Sequence, residues 1–208
     1  MEEKNIPQEE NIGAGASSLK KDGGRYALKK RFSAKRLALM AVFVAISYAV
    51  SRIEFPIFPA TPYLQLDFGN VFILLVSFLL GPVEGVIVCV LKEALRLIGS
   101  SSTMVGGVAN VCMTTAYIIL PSIVYQFRKG LKTVIPALAA ACVLGTAAAL
   151  LVNRYITFPL YMKDAAAAVF AEVFWFVLAF NLIKTVSVSI LTLLLYKRLS
   201  NFLKKMKI

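Results

Sequence analysis

Asn181 and Lys184 stand three residues apart inside Val169 to Tyr196, an apolar run long enough to cross a bilayer as the last span. On a helix this spacing puts both side chains on one face. An ammonium group at such depth costs at least ~2.5–3.5 kcal/mol on insertion scales, so it turns towards a protein interior or a wet cavity. The pair offers amide donors, an amide acceptor and a positive charge, which is the chemistry of holding a polar ligand. The Lys184 side chain leans towards the N-terminal, outer end of its helix, where a ligand would enter. Asn110 and Asn153 add two more amides near the outer ends of apolar runs. Tyr63, Leu64, Leu66, Phe158, Tyr161 and Trp175 supply ring and aliphatic surface. A largely apolar pocket with a few fixed polar groups suits a small planar molecule. For each asparagine the competing reading is a hydrogen bond between helices.

Bond-making chemistry finds little support. The chain has no histidine, the commonest acid–base catalyst and metal ligand. The carboxylates Asp67, Glu93 and Glu172 are scattered along the sequence, and no Gly-rich phosphate loop with its lysine is present. Cys89, Cys112 and Cys142 share no close spacing and read as small buried side chains, with no metal site. No repeated polar ring argues for a channel, and no pair of matching halves for a two-fold transporter. Lys92, Glu93 and Arg96 are expected to snorkel or pair near the interface, Glu93 with the neighbours of Lys92 or with Arg96 at i+3. A membrane-integral enzyme acting on a lipid, with Lys184 in its site, and a purely structural assembly protein stay open as rivals.

The elements that must position these residues are membrane helices. Of 208 residues, 59% are hydrophobic, and the mean hydropathy of +0.75 is too high for an ordinary soluble domain. The fold class expected is all-α, an integral membrane protein of six transmembrane helices. Residues 1–30 read as a disordered polar and basic tail and 31–208 as the membrane domain. Basic clusters at Lys29–Arg36, Arg128–Lys132 and Lys197–Lys207 flank the spans and put both termini in the cytoplasm. The net charge of +12 is therefore assigned to topology and anionic lipid, with no nucleic acid partner. The first span carries Ala41, Ala45 and Ala49 at four-residue spacing, with Ala38 nearby; such a stripe admits another helix, from a partner or from the same chain. Between spans one and two, Pro56, Pro59 and Pro62 forbid a continuous helix, and Glu54–Asp67 reads as an ordered external loop over the mouth of the protein.

Several short pieces, taken together, carry a resemblance. They are Tyr63-Leu64-Gln65-Leu66-Asp67-Phe68-Gly69-Asn70-Val71 with Gly81-Pro82, Lys92-Glu93, and Thr103-Met104-Val105-Gly106-Gly107-Val108-Ala109-Asn110. Val152-Asn153-Arg154-Tyr155 with Pro159-Leu160-Tyr161, and Phe180-Asn181-Leu182-Ile183-Lys184, complete the set. In this order the chain resembles the S components of energy-coupling factor (ECF) vitamin transporters, closest to their riboflavin-specific type. The resemblance implies a six-helix subunit of the bacterial cytoplasmic membrane, without a cofactor or enzyme activity. It would capture riboflavin at the outer face and dock on a transmembrane coupling subunit and two ATPases. It implies flavin contacts at Asn181 and Lys184, pocket positions at Asn110, Asn153 and Gly107, and a lid in the first loop. It assigns the stripe at Ala38, Ala41 and Ala45 to the coupling subunit. A different vitamin remains the alternative ligand. The lack of an Arg cluster argues against a phosphorylated flavin such as FMN, with Arg154 and Lys163 keeping that option open.

Overall fold

The computed structural model describes residues 33–99, 104–128 and 130–205, without the side chains of 99, 131 and 196–205. The expected tail, the outer connection Ser100–Thr103 and the C-terminal basic side chains lie outside these. The chain divides into Met1–Ala38, of which the described part is the start of the first helix, and Leu39–Ile208, which holds everything else.

Among the described residues there are six long helices: α1 Ala34–Ser51, α2 Gly69–Leu80, α3 Pro82–Gly99, α4 Met104–Phe127, α5 Leu131–Val152 and α7 Ala166–Lys205. Between α5 and α7 the backbone runs through a π-turn, Asn153–Thr157, a short helix α6, Phe158–Met162, and a 3-10 turn, Lys163–Ala165. The proline-rich first loop is partly regular. Strands β1 Glu54–Pro56 and β2 Gln65–Asp67 pair antiparallel, with Glu54 opposite Asp67, Phe55 opposite Leu66 and Pro56 opposite Gln65.

Local chemistry sets the boundaries. Gly81, at φ +130°, ends α2 with a backbone angle that side chains resist, and Pro82 opens α3 where its missing N–H is not needed. The connection between α2 and α3 is that one glycine. Pro121 and Pro136 lie inside α4 and α5, a substitution that packed membrane helices tolerate because neighbours satisfy the freed carbonyls.

The short α2 is the hub. Its buried residues run from Gly69 to Phe78 on every side of the helix, as expected of an element surrounded by others. Ile73, Leu74 and Val76 pack with Val88 and Cys89 of α3, Ile118 of α4, Leu138 and Ala141 of α5 and Val188 of α7. A second apolar cluster, Leu64, Leu66, Phe158, Phe170, Val177 and Phe180, pins the β-ribbon to α6 and the first half of α7. Ser47 Oγ donates to the Gly69 carbonyl at 2.8 Å, fastening α1 to the start of α2.

Candidate ligand-binding site

Segments from the ribbon, α3, α4, the π-turn, α6 and α7 enclose a cavity of about 750 Å³. Its apolar side is formed by Leu64, Met113, Phe158 and Phe180, with Tyr63 and Tyr161 towards the opening. Tyr63 meets Phe158 edge-on at 6.5 Å between ring centres, and partial burial raises its phenol above the ordinary value. The polar side is formed by Asp67, Glu93, Asn110, Asn181 and Lys184, with Glu54 and Arg96 farther along.

These polar groups form a closed ring. Lys184 Nζ donates to Asp67 Oδ2 at 3.1 Å and to Asn110 Oδ1 at 3.5 Å. Asn110 Nδ2 donates to Glu93 Oε1, and the same carboxylate accepts from Lys92 Nζ at 2.6 Å. Lys92 Nζ closes the circuit at 3.7 Å from Asp67 Oδ1. Two cations thus face two carboxylates, all on buried side chains, as charges removed from water require. Asp67 also accepts from Ser51 Oγ and from the Gly69 backbone N–H, each at 3.0 Å. Burial alone would push the Asp67 carboxyl up. The Lys184 and Lys92 ammonium groups and the Lys184 hydrogen bond outweigh it and hold the carboxyl well below the usual range. Beside the ring, Arg96 Nη2 reaches Glu54 Oε2 at 2.6 Å and ties β1 to α3.

Each amide has a fixed orientation. Asn181 Nδ2 donates to the Val177 carbonyl and Asn153 Nδ2 to the Ala149 carbonyl, both at 2.8 Å within their own helices. The nitrogen of each is thereby engaged by its own backbone. Asn110, by contrast, makes the bond between helices. Lys184 has three protons, and Asp67 and Asn110 take two of them. The arrangement can hold a ligand by hydrogen bonds.

The chain matches the family described as ECF transporter, substrate-specific component, over residues 35–196. It belongs to that family. The "Riboflavin transporter RibU" of Staphylococcus aureus is 33% identical over 176 residues, covering 82% of this chain and 93% of that protein. The "Riboflavin transporter FmnP" of Bacillus subtilis is 27% identical over 191 residues, covering 83% and 96%. A solved structure described as "Structure and mechanism of the S component of a bacterial ECF transporter" superposes with a TM-score of 0.71 at 34% identity, covering 82% of this chain and 98% of that one. The family is one of transporter components, so the chain is a membrane transport protein and not an enzyme.

Within this S component, Asn110, Asn153, Asn181, Lys184, Tyr63, Leu64, Gly107 and Tyr161 all line the cavity, as does Phe158. Leu66 does not. It follows Gln65 in strand β2, and successive side chains of a strand point to opposite faces. Gln65 and Asp67 face the cavity, while Leu66 is buried among the apolar residues behind it. Trp175 is 71% exposed on α7 and stacks edge-on against Phe174, away from the cavity. Glu93 does not pair with Arg96; it takes Lys92 and Asn110, while Arg96 takes Glu54. Nor does Lys92 snorkel, being wholly buried. Arg154 lies over the Phe170 ring, 5.8 Å from its centre, and neither it nor Lys163 lines the cavity; Arg52 and Arg96 do. Sequence reasoning missed Asp67 and Glu93 as cavity residues. The available signal was their number: ionisable groups among apolar segments must find one another.

Proposed function

We propose that this S component binds riboflavin at the outer face of the membrane and delivers it inwards with a coupling subunit and two ATPases. The observation that carries the proposal is a relative named as a riboflavin transporter, matched over 93% of its length. The cavity agrees with it, since about 300–1,000 Å³ is the usual size for small-molecule sites. A tricyclic flavin ring finds aromatic and aliphatic walls in Leu64, Phe158 and Phe180. Its carbonyls and ribityl hydroxyls find Lys184, Asn181 and Asn110. Gly107 and Asn153 complete the pocket, and the β-ribbon acts as its lid.

The basic residues beside the spans, Lys35 and Arg36 in the first turn of α1, Arg128 just after α4 and Lys132 in the first turn of α5, put both termini in the cytoplasm. The stripe on α1 serves the coupling subunit. Ala41, Ala45 and Ala49 are exposed while Phe43, Val44 and Ser47 are buried, so the small residues are not spent on packing within the chain. Ala38 is exposed on the same helix.

The test is an absorption spectrum of the detergent-purified protein before any ligand is added. A flavin band that is released on denaturation is expected, and chromatography then separates riboflavin from its phosphate. A colourless protein that also leaves the fluorescence of added riboflavin unquenched sinks the assignment.

A further inference from the structure

We propose that Lys92, which does not reach the cavity, is a positioning residue for the binding site: it holds the two carboxylates that orient Lys184 and Asn110. The inference rests on the riboflavin reading, which supplies its probe.

Lys92 is fully buried, and its Nζ lies between Glu93 Oε1 and Asp67 Oδ1. Asp67 fixes the ammonium of Lys184, and Glu93 fixes the amide of Asn110. Glu93, as an ionised acceptor, takes the Asn110 nitrogen, so the Asn110 oxygen must turn to Lys184. The donor and acceptor pattern offered to a ligand is thus written by groups that Lys92 holds in place. The charged groups around it are Asp67 from β2, Glu93 and Arg96 from its own helix and Lys184 from α7. Buried Cys89 lies beside it on the same helix, and Asn110 and Thr114 come from α4.

Without Lys92 the ring keeps two carboxylates and one cation. Asp67 retains Lys184, and Glu93 is left as a buried charge without a counter-ion, an arrangement that proteins avoid by movement or by protonation. Lys184 is drawn to both carboxylates and away from the ligand. Replacing Glu93 by Gln as well restores neutrality, and the amide oxygen can still accept from Asn110. The second substitution therefore regains binding, which lost packing alone would not produce.

The experiment titrates riboflavin by fluorescence quenching into purified full-length wild type, Lys92→Met and Lys92→Met/Glu93→Gln at neutral pH. Lys92→Met is expected to bind roughly tenfold or more weaker, a tenfold loss being about 1.4 kcal/mol. The double variant, balanced in charge, is expected to bind more tightly than Lys92→Met, regaining part of the lost affinity. Unchanged affinity in Lys92→Met overturns the inference. So does a loss that is not repaired in any part by the second substitution. If Lys92→Met does not fold, the double variant decides: folded and binding supports the inference, weak or unfolded overturns it. A wild-type protein that binds no riboflavin overturns the reading beneath it instead.

Discussion

Lys184 Nζ and Asp67 Oδ2 meet at 3.1 Å across a sequence separation of 117 residues, joining the last helix to the ribbon that borders the cavity. The contact explains how a cation is accommodated inside an apolar helix and why it sits where a ligand can reach it. Removing Asp67 takes the paired carboxylate from Lys184, and removing Lys184 leaves Lys92 alone to face two buried carboxylates. Lys184→Ala is therefore expected to cost on the order of 3–5 kcal/mol in combined stability and binding. Thermal unfolding in detergent and riboflavin titration measure the two parts, and a variant indistinguishable from wild type in both would remove the pair from the site.

Asn181→Ala tests an amide whose nitrogen is already tied to the Val177 carbonyl. The expected loss is ~1–3 kcal/mol in flavin affinity, from a ligand group left without its partner. Wild-type affinity in this variant would take Asn181 out of the pocket.

Leu66→Ala should behave differently, because Leu66 packs behind the cavity wall. A fall of ~2–5 kcal/mol in stability is expected, as for other buried leucines cut to alanine. Any loss of flavin affinity should be recoverable at lower temperature, where the ribbon is seated. A folded variant of unchanged melting temperature and abolished binding contradicts this placement.

Gly85→Ala probes the approach of α3 to α2. A methyl group there would lie 2.6 Å from Ser77 Cβ, closer than side-chain carbons pack. Overpacking of this kind costs ~1–3 kcal/mol. Melting temperature should fall while riboflavin affinity, measured well below it, stays at wild type.

Changing Ala41 and Ala45 together to Leu is expected to block uptake in cells carrying the complete transporter and to leave binding by the isolated subunit intact. Both residues are exposed on α1, so the bulk meets a partner and not the core. Equal loss of binding and uptake would return the stripe to internal packing.

For the wild type, the pH dependence follows from Asp67. Its carboxyl is held below the usual range by Lys184 and Lys92, so its contribution is present above the ordinary carboxylate value near ~4 and is lost only as pH falls well beneath it. Riboflavin affinity should be flat from about pH 8 to about pH 5. A midpoint near neutrality would mean that another group titrates in the site.

The sequence was most informative where chemistry is local. Spacing alone puts Asn181 and Lys184 on one face, and hydropathy finds the helices. What it hid was pairing across elements. Lys92 and Glu93 stand at the far end of an apolar run and look like interface charges, because nothing local says that β2 will bring Asp67 beside them. Leu66 and Trp175 failed as pocket residues for a related reason. Apolar character does not say which way a side chain points, although the alternation Gln65-Leu66-Asp67 did contain the answer for Leu66.

The π-turn at Asn153–Thr157 has a consequence for the genetics of the site. Such a turn is an α-helix carrying one extra residue. In a regular α-helix the loss of one residue turns everything after it by roughly 100°, one residue's share of a 3.6-residue turn. Here the wide turn already absorbs one residue, so the loss of a single codon between 154 and 157 would leave an unbroken α-helix with Phe158 and Tyr161 still facing the cavity. This stretch can thus accept a shortening by one residue that would scramble the faces of the other helices.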